Sequence, residues 1–184
     1  MKRWIVRTLA VLGGLLIAAA VVLVIVIVPV IRGGLSARDR PSALEARLAR
    51  AARALSTPAH VRALRNPLQA TPEVLNRARA HWADHCATCH ANDGSGDTEI
   101  GRNLYPKAPD MRAAATQRLT DGELYSIIQG GIRLSGMPAW GDPGVTDDME
   151  SWALVAFIRH LPRIGQEEVR EMERLGRRGG HRHR

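Results

Sequence analysis

The sequence predicts an all-α protein, with helices and long loops preceded by one apolar N-terminal helix. Three observations carry that expectation. Residues 8–31 form a run of 24 without a charged side chain, mostly Leu, Ile, Val and Ala. Helix-start signals recur through residues 71–162, and no run alternates apolar and polar residues as a half-buried strand would. Gly- and Pro-rich loops at 92–109 and 131–144 separate those helices, and loops that long in a small domain generally wrap something.

A chain of 184 residues holds one ordinary domain plus appendages. At 45% hydrophobic residues it is not a disordered chain. Its 26 basic against 18 acidic side chains give a net charge of +8, with a pI near 10.8. That balance alone invites a nucleic-acid or membrane-surface reading. Aromatics at 4% argue against a base-stacking surface. Location matters more than the total. Residues 1–70 carry +9, residues 71–162 carry −4 and residues 163–184 carry +3. The basic charge therefore belongs to the flanking segments, and the nucleic-acid reading fails.

The first segment, residues 1–31, reads as a membrane anchor. A helix over 8–31 would reach about 36 Å, enough for a ~30 Å hydrocarbon core. The rival is a cleaved signal with small residues at Ala18, Ala19 and Ala20. Cleavage there would leave residues 21–28 as an exposed apolar terminus, and the run is longer than an ordinary signal core. Lys2, Arg3 and Arg7 precede the run while Arg32, Arg38 and Arg40 follow it, so charge alone does not orient it.

Residues 32–70 place Leu44, Leu48, Ala51, Ala52 and Leu55 at helical spacing among Arg47, Arg50 and Arg53. This predicts a short basic helix near the membrane, then a link containing Pro58, Asn66 and Pro67. A solvated spacer helix is the plainer reading; contact with anionic lipid or a partner subunit is the alternative. Residues 71–162 form the compact domain. Thr71-Pro72-Glu73 starts a helix that should run to about Cys86. Thr120 and Glu123 have capping-box spacing, and their helix should turn Leu124, Ile127 and Ile128 inward and stop at Gly130-Gly131. Thr146-Asp147-Asp148 begins a third helix through Trp152, Val155, Ala156 and Ile158 to Pro162. Trp82 and Trp152 fall on inward positions. Residues 163–184 read as a polar tail, helical over 166–175, with a disordered His- and Arg-rich end.

Both cysteines lie in Cys86-Ala87-Thr88-Cys89-His90, the Cys-x-x-Cys-His pattern of covalent haem attachment. Thiols three positions apart share one side of a helical turn, so each reaches one vinyl group of the same porphyrin. His90 then offers its imidazole to the iron. A thioredoxin-like pair would sit in a βαβ pattern, which is absent, and a zinc site would need further ligands. The expected second ligand is Met137, in Gly136-Met137-Pro138, where Pro138 restricts it and Gly136 permits close approach. Met111 and Met149 are the fallback candidates. The carbonyl of Pro109 is the favoured acceptor for the other His90 ring N–H. Tyr105, Arg102, Trp140 and Arg133 are candidate neighbours of the haem edge or propionates.

These residues give the chain a resemblance to membrane-anchored class I monohaem cytochromes c, over roughly residues 71–162. It rests on Cys86 to His90, Pro109-Asp110-Met111, Asp121-Gly122-Glu123-Leu124, Gly136-Met137-Pro138 and the closing helix through Trp152 and Phe157. The domain is also similar to the cytochrome c domains of respiratory oxidase subunits. Ala91 stands where many relatives have glycine, a departure expected to matter little. The resemblance implies a class I cytochrome c fold around one haem c held by Cys86 and Cys89. It also implies a single-pass inner-membrane protein with its haem domain in the bacterial periplasm. One-electron transfer follows, with redox proteins or a membrane respiratory complex as partners and no small-molecule substrate. The alternative is a permanent cytochrome c subunit of a membrane dehydrogenase or oxidase. The acidic domain should dock on a basic or mixed surface, with association that weakens as salt rises.

Overall fold

The structure is a computed structural model and describes residues 2–33, 36–142 and 147–179. Among the described residues there are helices and no strands. The chain divides between Asp39 and Arg40 into two units. The first is α1 (Lys2–Gly33), longer than the uncharged run that predicted it. Its stretch Arg3–Val28 is long and apolar enough to cross a membrane, and none of it is buried against protein.

The second unit opens with α2 (Ala43–Ser56), whose N-cap Ser42 accepts a hydrogen bond from the Glu45 N–H. None of its residues is buried. α3 (Ala59–Arg62) follows. α4 (Pro72–His81) starts as the sequence predicts, with the Thr71 hydroxyl accepting from the Val74 N–H and proline in the first turn. The backbone does not stop at Cys86. It widens into a π turn over Trp82–Cys86 and continues as α5 (Ala87–His90). One continuous helical path thus ends on His90, and a π turn inside a helix commonly marks a functional site. α6 (Glu99–Asn103) and α7 (Ala114–Gln117) are short turns in the following loops.

α8 (Asp121–Gly130) carries the full capping box between Thr120 and Glu123 and stops at Gly131. Leu124 and Ile128 are buried as expected, but Ile127 is half-exposed and Tyr125 takes the inner position. The cause is α9 (Met149–His160): the Tyr125 ring stacks on Trp152 with centroids 4.2 Å apart. Thr146, in the predicted start of that helix, lies outside the described residues, and Asp148 is the cap. Residues 151–158 are all buried, so α9 is the core helix, packed between α4 and α8. Trp82 and Trp152 are both core residues, with Trp82 5.5 Å from Phe157.

α10 (Gln166–Gly179) falls in the segment read as a polar tail, yet its Met172 is completely buried in the core cluster. A polar composition hid a strongly one-sided helix. Its acidic side meets Arg79, which bonds Glu168 at 2.7 Å and Glu171 at 2.8 Å, and Glu168 also meets His160.

Asp148 is the most connected cap. Its carboxylate accepts from the Glu150 N–H (2.9 Å), the Gln129 amide (2.8 Å) and the Ser151 hydroxyl (2.7 Å). Burial pushes its pKa up, but these donors together hold it below the ordinary value of 3.8. A carboxyl lowered on folding stabilises the native state above its unfolded pKa, and that contribution disappears as pH falls through the folded value. Asp148→Ala is therefore expected to cost about 1–2 kcal/mol at neutral pH, with the difference from the parent chain shrinking below pH 3.8. Denaturant unfolding at pH 7 and pH 3 checks both.

Candidate haem site

The π turn and α5 place Cys86, Cys89 and His90 at the end of the first domain helix. The two thiols are unbridged and half-buried. Burial, then the neighbouring Cys89, push the Cys86 thiol up to about 12. A redox-active pair needs the opposite, a thiol acidified into thiolate. Among the described residues no three His, Cys, Asp or Glu side chains are placed to hold a metal ion, so the zinc alternative has no ligand set.

His90 is 7% exposed, and its ring lies 5.9 Å from that of Trp82. Burial pushes its pKa down, and the Pro109 carbonyl beside the ring partly opposes this. That carbonyl is close enough to act on the ring, although buried Nδ1 makes no contact of full hydrogen-bond geometry. A buried imidazole with one nitrogen turned to a carbonyl fits an iron ligand whose other nitrogen carries the lone pair. The group implied by the motif therefore suits the residues present.

Close loop packing puts Pro109 there. Gly96, at φ +72°, donates its N–H to the His90 carbonyl (2.9 Å). A Cβ on Gly96 would sit 2.5 Å from the Ala108 carbonyl oxygen and 3.0 Å from that of Pro109, so only glycine lets this segment cross so closely. The crossing is clamped by Arg112, which bonds Asp110 at 2.9 and 3.0 Å and Asp93 at 2.9 Å. The Arg112 guanidinium holds the Asp110 carboxyl below its usual value. Sequence reasoning missed this clamp. Its only sequence signal was opposite charge at Asp93, Asp110 and Arg112.

Met137 is half-buried in a closed turn after α8. Its N–H donates to the Ser135 hydroxyl (3.2 Å), and its carbonyl accepts from the Ile132 N–H (3.0 Å). The turn is pinned back on α8 through the Trp140 N–H to the Ile128 carbonyl (3.0 Å). Gly136 meets Leu104, whose Cδ2 lies 2.6 Å from where a Cβ would stand, so the two long loops touch there. Of the fallback ligands, Met111 packs against the core and Met149 sits partly exposed in the first turn of α9. Arg102 is exposed and paired with Asp97. The Tyr105 hydroxyl donates to Glu45 (2.6 Å). Trp140 is exposed with its ring 5.3 Å from that of His85, and Arg133 is exposed.

Residues 73–158 match the family model described as cytochrome C oxidase, cbb3-type, subunit III. The chain carries a cytochrome c domain. No curated protein matches the chain. The cytochrome c match covers a little under half the sequence, from the second residue of α4 to near the end of α9. It therefore takes in the cysteine motif and both long loops, but not α1, α2 or α10.

Ala91 corrects an expectation. It adopts φ 61° and ψ 161°, a conformation that is essentially glycine territory, and costs an L-residue about 1–3 kcal/mol. The conformation is held because the Ala91 carbonyl accepts from the Trp82 indole N–H at 2.9 Å while its own N–H caps α5. Ala91→Gly should therefore raise stability by about 1 kcal/mol, seen as a higher thermal midpoint; an unchanged or lower one would contradict the strain.

Proposed function

We propose that this protein is a membrane-tethered one-electron carrier whose domain would hold a single haem c through thioethers from Cys86 and Cys89, with His90 and Met137 as the side chains that would hold its iron. The observation that carries the reading is the placement of buried His90 directly after the cysteine pair, with the Pro109 carbonyl at its ring. Bound haem supplies an iron that exchanges one electron between ferric and ferrous states. The chain's residues do the rest. Burial disfavours the charged form of His90, so one ring nitrogen can offer a lone pair while the Pro109 carbonyl stands beside the ring. Burial pushes the Cys86 thiol up to about 12, away from the thiolate that a redox-active pair or a zinc site needs. Met137 brings a soft thioether, which raises the potential relative to harder ligands.

With two protein ligands on the iron, no site is left for a small-molecule substrate. The partners are redox proteins or a membrane respiratory complex, and the haem domain faces the periplasm from an inner-membrane anchor. A second reading, a permanent subunit of a membrane oxidoreductase, is favoured by the oxidase-subunit description of the matching family. Co-purification with large subunits in mild detergent distinguishes it from a free carrier.

Visible spectra of oxidised and reduced protein test ligation. The parent chain should give a low-spin ferrous spectrum unaffected by carbon monoxide at pH 7. Met137→Ala should become high-spin and bind the gas. Ready binding by the parent would remove Met137 as the ligand.

A further inference from the structure

We propose that α2 lies on the surface of an anionic bilayer, with the stripe Leu44, Leu48, Ala51 and Leu55 seated among the acyl chains and Arg47 and Arg50 at the headgroups. The inference rests on reading α1 as a membrane span. Three observations carry it. First, the stripe is bare. Leu44, Leu48 and Leu55 are 60%, 61% and 87% exposed, in a helix with no buried residue. Second, its outward direction is enforced from the other side. Glu45 receives the Tyr105 hydroxyl at 2.6 Å, and Arg53 approaches Glu123 at 3.9 Å, so other positions of α2 face the domain. Third, nine residues separate Gly33 from Ala43, a reach of at most about 36 Å. Chain length alone keeps α2 within about one bilayer thickness of the end of α1.

Chemistry selects lipid over another protein. Residues 36–56 carry five arginines against two acids, a surplus that suits anionic headgroups. An amphipathic helix with arginine beside a leucine stripe is the pattern that seats at the headgroup boundary. The 44, 48, 51, 55 spacing also resembles a coiled-coil seam. However, it spans only about two heptads, one position is alanine, and stable pairing needs three to four. A second copy would also bring Arg47 and Arg50 against their equals.

Photocrosslinking of the full chain in lipid nanodiscs tests this. Leu48→p-benzoylphenylalanine and Leu55→p-benzoylphenylalanine, irradiated in discs of mixed phosphatidylglycerol and phosphatidylcholine, should gain the mass of one phospholipid. Ala49→p-benzoylphenylalanine, off the stripe, should not. The adduct yield at position 48 should fall several-fold in pure phosphatidylcholine and in the Arg47→Glu/Arg50→Glu background. Absence of lipid adducts at 48 and 55, or crosslinks there to a second protein chain, would overturn the proposal. Leu16→p-benzoylphenylalanine in α1 reports the anchor separately. If it takes no lipid, the span reading itself has failed and this inference falls with it.

Discussion

Trp82→Ala is expected to lower the unfolding free energy by about 3–5 kcal/mol. Trp82 is 1% exposed at the π turn between α4 and α5. Its ring contacts Phe157 on one side and His90 on another. Truncation removes that packing and also leaves the Ala91 carbonyl without the indole N–H that it accepts. Trp82→Phe separates the two effects: it keeps most of the apolar volume and loses the hydrogen bond, for about 1–3 kcal/mol. Urea unfolding followed by circular dichroism measures both, with a midpoint shift at unchanged slope as the sign of a pure stability effect. A cost below about 1 kcal/mol for the alanine variant would mean that Trp82 is not the core anchor placed here.

The second large effect is chemical. Cys86→Ser/Cys89→Ser should abolish covalent haem retention while leaving a folded, helical chain. The thiols make no disulfide, and serine nearly matches cysteine in volume. Each single variant should keep one linkage and remain haem-positive on a denaturing gel, and the double variant should be haem-negative. A double variant that stains like the parent would place the attachment elsewhere.

Local chemistry was readable in the sequence because each signal sits within a few residues of its effect. Thr71, Thr120 with Glu123, and Asp148 cap helices through bonds spanning two or three positions. Gly131 ends α8 with φ +63°. The cysteine motif needs only five residues. What escaped was long-range. Asn66 resembles a link residue, yet its amide donates to the Trp152 carbonyl at 2.8 Å. Arg159 reads as a helix-end charge, yet it bonds Asp121, the Gln117 carbonyl and the Leu119 carbonyl, tying α9 to the start of α8. The Arg112 clamp and the crossing at Gly96 that presents Pro109 are of the same kind. Nothing in the residue order marks which charges or glycines will meet. The buried face of α10 was missed for a different reason. Only Val169, Met172 and Leu175, three positions apart, form its apolar stripe, and Met172 is the one that is fully buried.

Covalent attachment is the claim on which the electron-transfer reading stands, and acid–organic extraction of the full chain tests it most directly. The precipitated polypeptide is expected to stay coloured, and its intact mass to equal the chain plus one haem. Colour passing wholly into the organic phase, with the bare chain mass left behind, would contradict it.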